Sequence, residues 1–316
     1  MPKKRITTNT LWFVTHPYAA PPMKDFEGNI CLWNLVGDGP HHRKLFECDN
    51  AIVVDNKLIA HHGQQMTFIG EWECCSSWKP NSNKGIFKRT HKPIHSPHDA
   101  KINCKNTDPY VFGKEFYWIS CKQPTDISRI DIGDIVLFGT YTMKDRKIDQ
   151  MVIDTVLVVD EIIPNVDFNS SRFTQCFRDV TLAHTLPGSC LIVGKMYDPN
   201  KSYQNNVPFS FVPCRRDRLM DKLVIPIPSF GGNPLKIGQN GGHQDLNNSV
   251  GAWKALVGIV SGAGCELGVY MPEPVLAADN AIINKKAKSI IKKPKTKKQN
   301  EKDTNPCGGS CPGSNC

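Results

Sequence analysis

Residues 131–161, DIGDIVLFGTYTMKDRKIDQMVIDTVLVVDE, constrain the fold more than any other stretch. Two runs rich in Val, Ile, Thr, Phe and Tyr flank a polar segment and are bounded by turn residues, the pattern of two facing β-strands. The first opens at Gly133-Asp134 and runs IVLFGTYTM; the second is MVIDTVLVVDEII; KDRKIDQ between them reads as a polar loop. Neither run alternates apolar with polar. Near-continuous apolar strands are covered on both faces. The pair is therefore expected to be the buried spine of a largely β domain.

The rest of the chain supplies short strands and few helices. LWFVTH (Leu11–His16) stops at Pro17, ICLWNLV (Ile30–Val36) follows a Pro-rich loop, and AIVVDNKLIA (Ala51–Ala60) reads as a hairpin turned at Asp55-Asn56. TFIGEWE (Thr67–Glu73) and FYWISC (Phe116–Cys121) are further strands, so the first third suggests an antiparallel sheet. Between them, residues 74–110 hold few apolar side chains and four prolines, and are expected to be a polar insert without regular structure. Ser170–Thr185 has a helical stripe of Phe173, Phe177, Val180 and Leu182 or His184, with Ser170 or Ser171 as cap. Strands are expected at Leu191–Tyr197, Pro208–Cys214, Lys222–Ile227 and Cys265–Met271, and a Gly-rich loop at 231–242. Asn248 or Ser249 caps a second helix through Val260, with Val250, Trp253, Leu256, Val257 and Val260 on one face.

Composition narrows the class. The 316 residues are 40% hydrophobic and 22% charged, enough for a real core. No apolar run approaches the roughly 20 residues that span a bilayer, and MPKKRITTNTLWFVTHP lacks the apolar core of a signal peptide. A soluble cytoplasmic protein with no membrane partner is expected. The 13 cysteines, an odd number sitting mostly in apolar contexts, read as reduced thiols rather than a disulfide framework. The net charge of +9 belongs to one segment. Taking the 9 lysines of residues 285–302 from the 39 basic residues, and Glu301 and Asp303 from the 30 acidic ones, leaves 30 against 28. Residues 274–316 therefore read as a disordered Lys-rich tail, ending in CGGSCPGSNC, after a globular domain over 1–273.

Gly133-Asp134-Ile135-Val136, followed after a polar loop by Val158-Val159-Asp160-Glu161, resembles the PUA-like superfamily, which includes the ASCH, EVE and YTH modules and the nucleotide-modification-associated domains. The resemblance covers about 30 residues firmly and extends loosely over 11–271. It implies an α+β, mostly β fold: a PUA-like curved sheet or small barrel with a few flanking helices. It also implies binding of a modified base, a nucleotide or nucleic acid in an aromatic-lined pocket, where a flipped base is stacked and its edge read by hydrogen bonds.

Candidate residues lie mainly in the first third. His16, Trp33, Glu71 and Trp72 can line one pocket: the tryptophans stack a base, Glu71 accepts from an amine and His16 adds a polar contact. The two tryptophans suit a core equally well. GDGPHHRK (Gly37–Lys44) offers His41, His42, Arg43 and Lys44 on a flexible loop made for a phosphate, or simply an exposed basic loop. Asp154, an acid inside the second spine strand, must be paired or shifted if buried, as a structural or a pocket group. His91, His95, His98 and Cys104 have donor types and a spacing that can hold zinc, although Pro93 and Pro97 break any helix that would align them. No cofactor is otherwise indicated, and the oligomeric state is open.

Three functions fit these residues: recognition of nucleotide or nucleic acid, aided by the basic tail; an enzyme on such substrates using His16, His41 or His42 with Glu71, with or without a zinc ion held by the 91–104 insert; or an interaction protein working through Cys307, Cys311 and Cys316. Deleting residues 281–316 is expected to weaken DNA or RNA binding and to flatten its salt dependence, by about 0.9 in the log–log slope for each duplex phosphate the tail neutralises. A salt titration with an unchanged slope would show that the tail takes no part.

Overall fold

The computed structural model of the chain describes residues 9–15, 30–32, 43–54, 57–81, 87, 89–96, 106–119, 129–145, 147–200, 207–216, 223–230, 233–238 and 241–276. The strands are β1 (Thr10–Thr15), β2 (Ile30–Leu32), β3 (Lys44–Val54), β4 (Lys57–Gly70), β5 (Cys75–Pro80), β6 (Arg89–Pro93), β7 (Phe116–Ile119), β8 (Ile135–Lys144), β9 (Lys147–Ile163), β10 (Leu191–Gly194), β11 (Val212–Arg215), β12 (Leu223–Pro226), β13 (Lys236–Gly238), β14 (Gly241–Asp245) and β15 (Glu266–Tyr270). The helices are α1 (Gln175–Val180) and α2 (Ser249–Gly262). The fold is mostly β. Among the described residues no helix is long and apolar enough to cross a membrane.

Two mixed sheets carry it. One runs β13-β14-β1-β8-β9-β10-β7, with β12 also on β9; the other runs β15-β11-β4-β3-β6-β5-β2, with β15 also pairing β3. Neither closes into a small barrel. The expected spine is the β8–β9 pair, antiparallel along its whole length, and β1 lies parallel against β8. Its continuous apolar character is explained by two cores. From the first sheet, Leu11, Phe13, Ile135 and Leu137 face one core, roofed by Trp253, Leu256 and Val260 of α2. Trp12, Val14, Val136 and Phe138 face the other, closed by Phe173, Phe177, Val180 and Leu182.

β9 would present the wrong residues to these cores without a break in its period. Met151 and Ile153 share a core with Val156 and Val158, a change of parity. The change comes from a register shift: Phe138 opposes Thr155 while Gly139 opposes Ile153, so Asp154 is the extra residue of a β-bulge. Gly139 fits this crowded point because it has no side chain. A Cβ there would lie 1.8 Å from the Val152 carbonyl oxygen.

Several expectations are corrected. The loop KDRKIDQ is mostly strand: Lys144 pairs with Lys147, and only two residues separate the arms. Lys144, Asp145 and Asp149 are exposed, and a strand's backbone pairs regardless of side-chain polarity. The Gly-rich 231–242 loop contains β13 and the start of β14, which pair with each other. Gly242 is needed there, because a Cβ would meet the Lys236 carbonyl at 2.0 Å. The insert 74–110 holds β5 and β6, paired antiparallel, so it is not structureless. Ser76 Oγ and His91 Nδ1 meet at 2.9 Å across these two strands. The first helix is shorter than the stripe suggests. Thr174 caps it, accepting from Phe177 N, and a 3-10 turn over Leu182–His184 continues its buried side. Asn248 caps α2 as expected, accepting from Gly251 N, although Val250 is exposed rather than part of the buried face. The described domain extends past 273 to residue 276; the tail beyond lies outside the described residues.

The Gly133-Asp134 pair is more than a turn. The Asp134 carboxylate is buried and accepts from Thr10 N (2.7 Å), Trp12 Nε1 (2.8 Å) and Asp131 N (3.0 Å), pinning β1 to the start of β8. Replacing Asp134 by Ala strands three donors and is expected to cost about 3 kcal/mol or more of stability, read from the chemical-denaturation midpoint. A loss below about 1 kcal/mol would mean that β1 is held by its ladder alone.

Candidate functional site

Of the residues proposed for binding in the first third, the structure describes Arg43, Lys44, Glu71 and Trp72. His16, Trp33, His41, His42, His98 and Cys104 lie outside the described residues. Trp72 is fully buried, edge-on to Phe112 at 5.2 Å, and presents no exposed ring face. Arg43 and Lys44, expected on an exposed phosphate loop, stand at the start of β3 and are 5% and 2% exposed. The Lys44 ammonium donates to the Trp72 carbonyl oxygen.

Arg43, Glu71 and Asp154 do meet. Arg43 Nη1 donates to Glu71 Oε2 at 3.0 Å, and its Nε forms an ion pair with Asp154 Oδ2 at 2.8 Å. The bulge in β9 is what frees Asp154 from the apolar alternation. Glu71 Oε1 accepts from Asp108 N, and Asp108 Oδ1 accepts from Ile119 N on β7. The cluster is therefore a clasp between the two sheets, with its charges taken up by one another.

The two described zinc candidates point to different partners. His91 bonds to Ser76 and lies edge-on to Phe46 at 6.3 Å. Burial, then the nearby Lys44 and Arg89 charges, push its ring pKa down to about 3, so it is neutral. His95 Nε2 pairs with Asp179 Oδ2 at 2.9 Å, and Gln175 holds the other Asp179 oxygen. Among the described residues no three His, Cys, Asp or Glu gather to hold a metal ion.

Among the described residues a cavity lies elsewhere, at the edge where β7 and β10 join the segment before α1. This cleft of about 850 Å³ is lined by Tyr110, residues 112–115, Tyr117, Asp160, Arg172, Thr174, 194–198, Val207 and Glu273. Its floor is aromatic. Tyr110 pairs with Tyr117 through two backbone hydrogen bonds of 2.8 Å, and Tyr117 stacks on Phe177 at 4.3 Å. The rings are buried, and both phenols are tied to carboxylates. Tyr110 Oη donates to Glu273 Oε1 at 2.6 Å, and Tyr117 Oη donates to Glu115. Burial, reinforced by these acidic neighbours, pushes both phenols up, so they stay protonated.

Arg172 organises the wall. Its Nη2 meets Glu115 Oε1 at 3.0 Å and its Nη1 meets Glu161 Oε2 at 2.6 Å. Burial would raise Glu115, but the Arg172 guanidinium and the Tyr117 hydroxyl outweigh it and hold its carboxyl below the usual range. Lys195 and Asp160 stand 3.8 Å apart at the rim, and Lys114 is exposed beside them in the lining. The cleft thus combines an aromatic floor, oriented acceptors and lysine cations.

Of these residues, only Asp160 belongs to a motif singled out in the sequence. A signal was present in YVFGKEFYW (Tyr110–Trp118), which places five aromatic residues among nine. Arg172 and Glu273 had none, because their partners are distant in the chain.

Arg43→Met is expected to cost about 3–5 kcal/mol, since it leaves two buried carboxylates without their cation. Adding Glu71→Gln and Asp154→Asn should recover most of that loss in urea melts. A triple variant as unstable as the single one would mean that packing, not charge, accounts for the loss.

No family model, curated protein or solved structure matches the chain.

Proposed function

We propose that the protein binds a nucleotide, free or as one unit of a nucleic acid, in the cleft beside β7. One observation carries this reading. A cavity of about 850 Å³ brings together an aromatic floor, four carboxylates and the cations Lys114, Arg172 and Lys195. The volume suits one small ligand. A base brings N–H donors that carboxylates accept, and a phosphate brings the charge that lysines attract. The PUA-like reading agrees with this, since Asp160 of the Val-Val-Asp-Glu ending is part of the lining.

Binding suits the cleft better than catalysis. Its described lining contains no Ser, Cys or His. The Thr174 hydroxyl is committed to Glu273, and the two phenols are held protonated as donors. A basic tail fits the same role by attracting the phosphates of a longer nucleic acid.

Calorimetric titration of the full chain with mononucleotides and with short single-stranded DNA and RNA tests the proposal. Reversing the charge at Lys114 and Lys195 together (Lys114→Glu, Lys195→Glu) is expected to weaken binding about tenfold or more, close to 1.4 kcal/mol. No heat of binding from any nucleotide or oligonucleotide at millimolar concentration would sink the reading.

A further inference from the structure

The four carboxylates in the cleft have different partners. Glu115 takes Arg172 and Tyr117, Asp160 stands near Lys195, and Asp198 accepts from Asn200 N. Glu273 differs. Its partners are two hydroxyls, Tyr110 Oη and Thr174 Oγ1, and both donate to the same oxygen, Oε1. No described cation pairs with it.

Both donors are fixed from behind. The Tyr110 ring sits against Phe112 and Phe177, with centroids 5.7 and 5.0 Å away. Thr174 Oγ1 accepts from Phe177 N as the cap of α1, which directs its proton toward Glu273. The backbone on either side is stiffened by Pro272 and Pro274. An acid held this way has one oxygen satisfied and the other, Oε2, left to accept. It brings a carboxylate to the cleft with no direct ion pair among the described residues.

We infer that Glu273 selects the ligand, its Oε2 taking an N–H of an amino-bearing base (adenine, cytosine or guanine) in preference to uracil. This rests on the nucleotide binding proposed above. An exocyclic amino group offers a donor to a carboxylate oxygen. Uracil offers one ring N–H between two carbonyl oxygens, and these repel the carboxylate. The glutamate is then a specificity-determining acceptor, while the rim lysines serve any phosphate alike.

The test is a calorimetric panel of AMP, CMP, GMP and UMP against the full chain and its E273Q variant. Wild type is expected to bind one or more of the amino-bearing nucleotides about tenfold or more tightly than UMP, the effect of one hydrogen bond to a charged group. In E273Q the amide oxygen can still accept from the two hydroxyls while its NH₂ turns to the cleft. The variant should lose affinity for the amino-bearing nucleotides and keep or gain it for UMP. A merely structural role would weaken all four equally. Equal wild-type affinities, or an equal loss across the panel in E273Q, would overturn this inference and leave nucleotide binding standing. Failure of all four to bind wild type removes both. If the variant does not fold, the wild-type panel alone decides.

Discussion

Arg43 sits almost fully buried between Glu71 and Asp154, and the junction of the two sheets depends on it. Taking a charge out of water costs several kcal/mol even after relaxation, so such a group persists only where partners surround it. Each partner here comes from a different part of the fold. Arg43 immediately precedes β3, Glu71 follows β4, and Asp154 is the bulged residue of β9 in the other sheet. The bulge is part of the same arrangement. Without the extra residue, Asp154 would take its turn in the apolar alternation, and the half of β9 beyond it would face the opposite core. Gly139 across the ladder makes the bulge sterically possible.

The clasp reaches the cleft by hydrogen bonds. Glu71 holds the Asp108 amide, and the Asp108 carboxylate holds the Ile119 amide at the end of β7. Tyr110 lies two residues beyond Asp108 and pairs with Tyr117 of β7, so one chain of contacts runs from the sheet junction to the aromatic floor. Buried polar networks help to fix one arrangement of the groups that they join. Here it positions the Tyr110 and Tyr117 phenols, and through them the Glu273 and Glu115 carboxylates that line the cleft.

Much of the fold is legible in the sequence because it rests on local pattern. The spine strands, the hairpin that pairs Val54 with Lys57, the cap at Asn248 and the apolar side of the first helix follow from periodicity and turn chemistry. The departures share one cause. Charged and polar residues read as exposed, so pattern alone puts Arg43 and Lys44 on a loop, Lys144–Gln150 between strands, and 74–110 outside regular structure. Burial of a charge depends on its partner, and Asp154 is more than a hundred residues from Arg43. Asp154 alone announces itself, because an acid inside an apolar strand demands a partner whatever the fold. Trp72 is a different case. An aromatic on a strand suits a core and a pocket alike, and only the packing of Phe112 against it decides.

The cleft's polar groups are arranged before any ligand arrives, and that has energetic consequences. Arg172 is spent on Glu115 and Glu161, so it fixes the wall and has little charge left to attract an anion. Lys114 and Lys195 are more exposed and more weakly paired, and attraction falls to them. A flexible side chain that must be ordered on binding costs about 0.5–1.5 kcal/mol. Groups already fixed by the fold, such as Tyr110, Tyr117 and Glu273, escape that cost. Recognition of a ligand's shape and hydrogen-bonding edge therefore belongs to the floor. The lysines add long-range attraction, which salt screens over about 8–10 Å. A ligand held mainly by the floor would bind with weak salt dependence, and one held mainly through phosphates with a steep one.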